Sequence, residues 1–200
     1  MKKEDITCAA HTLWEKFHER NPRRLCQLLD ILIVDLPMGQ AAHDIKGLIQ
    51  KNSRCYCIVL NSDLPGWQQD LITFHEIGHS VLGHAERKIC TCRNLFSRTE
   101  NSIMEIEANE FVAEYLMDTD RTLELLQETG SFFSTASFLH VPPAIMDFKW
   151  RMLKYYELVS GESPFYSRSD CMGRLERLGA SYDDDFKPDC YDDANYNDIP

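Results

Sequence analysis

Long hydrophobic runs are missing from this sequence. No stretch approaches the roughly 18 apolar residues that a membrane-spanning helix needs. The opening Met1-Lys2-Lys3-Glu4-Asp5 leads into no apolar segment of signal-peptide length. We therefore expect a cytoplasmic chain with no membrane partner. Clusters of positive charge are missing too. With 21 Lys+Arg against 32 Asp+Glu the formal net charge is −11, which excludes a broad surface for nucleic-acid phosphates. Residues 183–200 hold seven Asp and one Lys, a local −6, so the remainder carries about −5, ordinary for a globular domain. Repeats are absent, and so is low-complexity sequence outside that tail. The 200 residues, 44% hydrophobic, suffice for one domain with a real core.

Eight cysteines are present: Cys8, Cys26, Cys55, Cys57, Cys90, Cys92, Cys171 and Cys190. Without a leader, the cytoplasmic redox poise favours reduced thiols over disulfides.

Apolar spacing predicts helix over residues 6–29, divided at Asn21-Pro22 because proline disfavours a helical residue before it. Residues 30–36 and 55–60 are short and β-branched, and are read as strands. Residues 43–51 are ambiguous. Pro65-Gly66 opens a long helix to about residue 85, since proline is tolerated in a first turn. Residues 86–98 look irregular. Further helices are expected over 101–117, 120–128, 134–140, 143–159 and 168–178. Beyond Ser181 the Asp-, Tyr- and Asn-rich tail has little to bury, and disorder is expected there. The organisation expected is an N-terminal helical segment (1–29), a catalytic domain (30–160), an extension (161–180) and an acidic tail (181–200).

The long helix contains His75-Glu76-Ile77-Gly78-His79. Residues four apart share a helix face, so both imidazoles can aim at one metal ion. Glu76 then stands next to a ligand without being one, the position of a general base for a water activated by Zn2+. Leu71, Phe74, Gly78, Val81 and Leu82 make the helix largely apolar, so these polar groups are buried for a reason. The competing reading is a pair of satisfied core histidines beside an exposed glutamate. His84 is five residues past His79, about 140° around the axis, and is read as an exposed last-turn histidine.

A catalytic zinc takes three protein ligands and keeps one position open. The helix over 101–117 carries Glu105, Glu107, Glu110 and Glu114. The last three, spaced three and four apart, read as a solvated stripe. Glu105 shares the inward face with Asn109, Val112 and Leu116, and a buried carboxylate needs a partner. Glu105 is thus the candidate third ligand, with Asn109 orienting a ligating histidine. A capping box from Ser102 to Glu105 competes for that carboxylate, and Glu107 is the fallback ligand. Tyr115, His140 and Arg151 are oxyanion-stabiliser candidates by residue type alone. Cys55, Cys57, Cys90 and Cys92 are either core thiols or a second, structural zinc site. The strand carrying Cys55 and Cys57 is a candidate edge for pairing with an extended substrate.

The two segments together, His75 to His84 and Glu105 to Met117, resemble the ImmA/IrrE family of metallopeptidases. Ile58-Val59-Leu60-Asn61-Ser62 and Phe96-Ser97-Arg98-Thr99-Glu100 extend the likeness, which covers about residues 30–155. The resemblance implies an α+β fold, a compact thermolysin-like (mini-gluzincin) core. A small sheet, a zinc helix, a second ligand helix and C-terminal helices would form it. It also implies one catalytic zinc on His75, His79 and Glu105, the last being the first Glu of Glu-x-x-x-Asn. It implies as partner and substrate a helix-turn-helix repressor of a phage, mobile element or stress regulon. A non-proteolytic binding module on the same fold is the alternative. A toxin-like or lysis-associated peptidase fits less well, since no leader directs it outward. The chain departs from the family where Asp118 replaces the proline that often follows Leu-Met. The acidic tail and the Cys-x-Cys pairs are not family features.

Overall fold

A computed structural model describes residues 1–41, 44–86, 89–93 and 102–167. The expected helix over 168–178, the acidic tail, Cys171, Cys190 and the segment from Phe96 to Glu100 lie outside the described residues. The fold is α+β, with two compact units, Met1–Asp118 and Thr119–Pro200.

The first unit opens with α1 (Lys3–Phe17) and α2 (Pro22–Leu28). The division falls at Asn21, whose side chain accepts the Arg24 backbone N–H, with Pro22 in the first turn. Then come β1 (Ile31–Leu36), β2 (Gly47–Asn52) and β3 (Cys55–Asn61), followed by α3 (Gly66–Val81), a 3₁₀ turn (His84–Glu86), β4 (Cys90–Cys92) and α4 (Ile103–Leu116). The ambiguous stretch over 43–51 thus supplies β2. β4 emerges from residues read as irregular, because three residues are too few to show a period.

The sheet order is β1-β3-β2-β4, with β1 parallel to β3 and the other pairs antiparallel. β3 is therefore interior, hydrogen-bonded on both sides, which removes it as the edge for an added substrate strand. The position next to β2 at the end of the sheet belongs to β4. β2 also separates Cys55 and Cys57 from Cys90 and Cys92. Among the described residues these four thiols form no metal-holding group, so the structural zinc site is not formed.

α3 packs on the sheet, α4 packs on α3, and α1 packs on α4. Ile49, Ile58 and Leu60 of the sheet, Ile72 and Ile77 of α3, Phe111 and Val112 of α4 and Ile6 and Ala10 of α1 are all fully buried. α1 corrects the solvated-stripe reading. Glu107, Glu110 and Glu114 are buried, because α1 covers their side of α4 and Lys3 pairs with Glu110.

In the second unit, α5 (Thr119–Thr129), α6 (Phe132–Phe138), α7 (Pro143–Tyr155) and α8 (Pro164–Ser167) bury Leu125, Phe132, Ile145, Phe148 and Met152. Lys149, wholly buried, donates to Thr119 Oγ1 at 2.9 Å. No helix among the described residues is long and apolar enough to cross a membrane.

Candidate active site

α3 is buried without interruption from Leu71 to His79. Burial is not confined to one face because the sheet covers one side and α4 the other. His75, Glu76 and His79 thus sit between two layers, away from bulk water. α4 approaches α3 at Gly78, where a Cβ would stand 3.0 Å from Phe111 Cδ1 and 3.4 Å from the Ala108 carbonyl. A side chain larger than a methyl group would push the helices apart there. The close approach delivers Glu105 and Asn109 to the histidines.

His75 Nε2 lies 3.0 Å from Glu105 Oε2 and 3.1 Å from His79 Nε2. His79 Nε2 lies 3.3 Å from Glu105 Oε1. Donors bound about 2.0–2.1 Å from a tetrahedral ion stand roughly 3.3 Å apart, so these separations fit a single metal. Two imidazole nitrogens 3.1 Å apart cannot both carry protons toward each other, whereas an ion between them would use both lone pairs. The Ser102 side chain makes no cap bond. The Glu105 carboxylate turns to the histidines instead of to the helix start.

The outer nitrogens are also held. His75 Nδ1 is 2.9 Å from Asn109 Oδ1, which can only accept. That assigns the proton to Nδ1 and leaves the Nε2 lone pair facing the cluster. His79 Nδ1 is 3.0 Å from His84 Nδ1, and His84 Nε2 is 2.9 Å from Glu107 Oε2. With the Nε2 lone pair of His79 turned inward, the protons run one way: His79 Nδ1–H donates to His84, and His84 Nε2–H donates to the Glu107 carboxylate.

His84 is therefore not the exposed last-turn histidine of the sequence reading. The helix ends at Val81, and Gly83 turns at φ +74°, folding His84 back over His79. The 140° argument assumed a helix that continues. The available signal was Gly83 itself, a helix-stopping glycine. Glu107, the fallback ligand, is engaged by His84 and is absent from the cluster that could hold an ion.

Burial pulls His79 down to about 4, against the opposing influence of the Glu105 carboxylate. His84 is lowered as well, again by burial first. Both are neutral at pH 7, as metal ligation requires. For Glu105, burial alone would raise the carboxyl. The adjoining His75 and His79 imidazoles outweigh it and hold the group well below the usual carboxylate range.

Glu76 is wholly buried, and neither carboxylate oxygen has a hydrogen-bond partner. Burial, and then the charge on Glu105, raises it well above the ordinary value. Its carboxylate lies against Gly47 of β2, where a Cβ would come within 3.3 Å of Glu76 Oε1 and 2.5 Å of Ile72 Cγ2. Gly47 is thus a site-shaping residue that sequence patterning did not mark.

Of the oxyanion candidates, Tyr115 is committed elsewhere. Its hydroxyl donates to the Glu19 carbonyl at 2.7 Å, and its ring stacks on Phe111. His140 and Arg151 belong to the second unit.

An α+β fold with two histidines and a carboxylate converging beside a buried, unpartnered glutamate defines a metallopeptidase-like centre. The chain belongs to the Peptidase_M78 family, the IrrE N-terminal-like domain, whose model matches residues 26–151. It is also similar to immunity region protein 2 of Bacillus phage phi105, 30% identical over 113 residues, covering 56% of this chain and 68% of the phage protein.

Proposed function

We propose that this protein is a zinc-dependent endopeptidase acting inside the cell on a helix-turn-helix repressor. The carrying observation is Glu76, a wholly buried carboxylate with no partner on either oxygen, beside three donors spaced for one ion. Leaving such a group unpaired is costly, and a general base awaiting its water is a reason to keep it. His75, His79 and Glu105 would hold the zinc, which when bound supplies Lewis-acid polarisation and a lowered water pKa.

The chain's own groups divide the remaining work. Asn109 and His84 fix the ring orientations and the protonated nitrogens of His75 and His79. Glu76 takes the proton of the attacking water and delivers it to the leaving amine. Burial raises its carboxyl above the ordinary value, which makes it a stronger base for that proton than a solvated glutamate. The target class is supported by the relative's place in a phage immunity region and by the family resemblance.

The test pairs the purified protein, loaded with one equivalent of zinc, with a helix-turn-helix repressor taken from its gene neighbourhood if one is encoded there. We expect cleavage by the wild type. Glu76→Gln should keep its zinc and lose cleavage by 10²-fold or more, the scale of a general base. Full biological activity in that variant would instead establish a binding module.

A further inference from the structure

Next to the three-donor cluster lies a second one. A ring nitrogen of His75, a carboxylate oxygen of Glu76 and Cys92 Sγ lie within 4.8 Å of one another, and all three residues are buried. The sheet brings the thiol there. Cys92 pairs with Gly47 across β2 and β4, and Gly47 is the residue whose missing side chain makes room for Glu76 Oε1. Cys92 is only 1% exposed. The independent sign of a ligand position is Glu76, aimed into this space with both oxygens unsatisfied. Among the described residues Cys90, two residues earlier on the same strand and also buried, joins no such group.

We propose that His75, Glu76 and Cys92 form a second binding site for a thiophilic divalent cation, exclusive of the His75–His79–Glu105 site. Imidazole, carboxylate and thiolate make a borderline-soft donor set suited to zinc and, more strongly, to cadmium. The two sites share His75. Because Asn109 occupies Nδ1, one lone pair serves both, so an ion in one site excludes an ion in the other. Binding releases both the thiol proton and the Glu76 carboxyl proton to solvent and engages the resulting thiolate and carboxylate. An ion held there takes away the group proposed as the base, so this occupancy is an inhibited form.

The probe is cadmium, added at one equivalent to the metal-stripped full-length protein. We expect thiolate-to-cadmium ultraviolet absorption in the wild type, lost in Cys92→Ser and retained in Cys90→Ser. Anomalous scattering from cadmium-loaded crystals should place the ion within bonding distance of Cys92 Sγ. His79→Ala removes only the other cluster, so it should keep the absorption. That variant keeps the proposal testable if Cys92 substitutions disturb folding. Cadmium found only among His75, His79 and Glu105, absorption that survives in folded Cys92→Ser, or its loss in folded His79→Ala would overturn the proposal. None of these readouts uses cleavage, so failure of the peptidase reading would be seen separately.

Discussion

His84 follows Gly83, and the glycine decides what the histidine does. Turned back by the positive φ, its imidazole joins His79 to Glu107. A side chain that orients a ligand typically contributes 10- to 100-fold to metal affinity. His84→Phe keeps the ring volume and removes both hydrogen bonds. We expect its zinc affinity, measured by chelator competition, to fall by about 10- to 100-fold with circular dichroism unchanged. Unaltered affinity would show that His79 needs no such support. Glu76 allows a second prediction at this scale. In the metal-stripped protein the folded state keeps a proton on this raised carboxyl, while the unfolded chain releases it near the ordinary value of about 4.3. Its contribution to stability is therefore complete below that pH. It is lost as pH rises toward the folded-state pKa, with a slope of up to about 1.4 kcal/mol per pH unit. Glu76→Gln cannot titrate. Its gain in urea midpoint over the wild type should grow from about pH 5 to pH 7. A gain that stays constant would mean that the carboxyl is already ionised in the fold.

At the scale of elements, the site depends on how closely α3 and α4 pack. Gly78 sets that distance, with Phe111 and the Ala108 carbonyl next to its Cα. A methyl group there gains helix propensity of about 1 kcal/mol and needs Phe111 to yield a few tenths of an ångström, so Gly78→Ala should be near neutral. Gly78→Val adds branched bulk against backbone and should cost about 1–3 kcal/mol in urea unfolding. Because Glu105 lies just before Ala108 on α4, the same variant should also weaken zinc binding. Stability and affinity both at wild-type levels would show that the helices have room to spare. The helices themselves were legible in the sequence. Apolar spacing and the Asn21-Pro22 and Pro142-Pro143 signals located α1, α2 and α7. β4 was not legible, because its three residues pair with β2 through a contact distant in sequence.

For the whole molecule, every donor of the candidate metal cluster lies in the Met1–Asp118 unit, while the family match runs on to residue 151. An ion that binds only the folded state stabilises it by mass action. Zinc at a hundredfold excess over its Kd adds about 2.7 kcal/mol, worth roughly 5–11 °C in Tm at this chain length. Differential scanning fluorimetry should show that rise, and a chelator should reverse it. His75→Ala should show neither. A Tm indifferent to zinc would remove the metal reading of the cluster.

The sequence by itself determined the local chemistry. Four-residue spacing put His75 and His79 on one helix face, and the period of the next helix set Glu105 and Asn109 on its inward side. These follow from helix geometry, which acts over a few residues. Tertiary structure decided what lies outside that range. α1 covered a stripe of glutamates that periodicity assigned to solvent, and Gly83 redirected His84 from water to His79. The sheet order made β3 interior and carried Cys92 to Glu76. Each of these depends on which distant segment supplies the neighbouring surface, and burial, not spacing, then sets whether a carboxylate or a thiol is solvated, paired or poised.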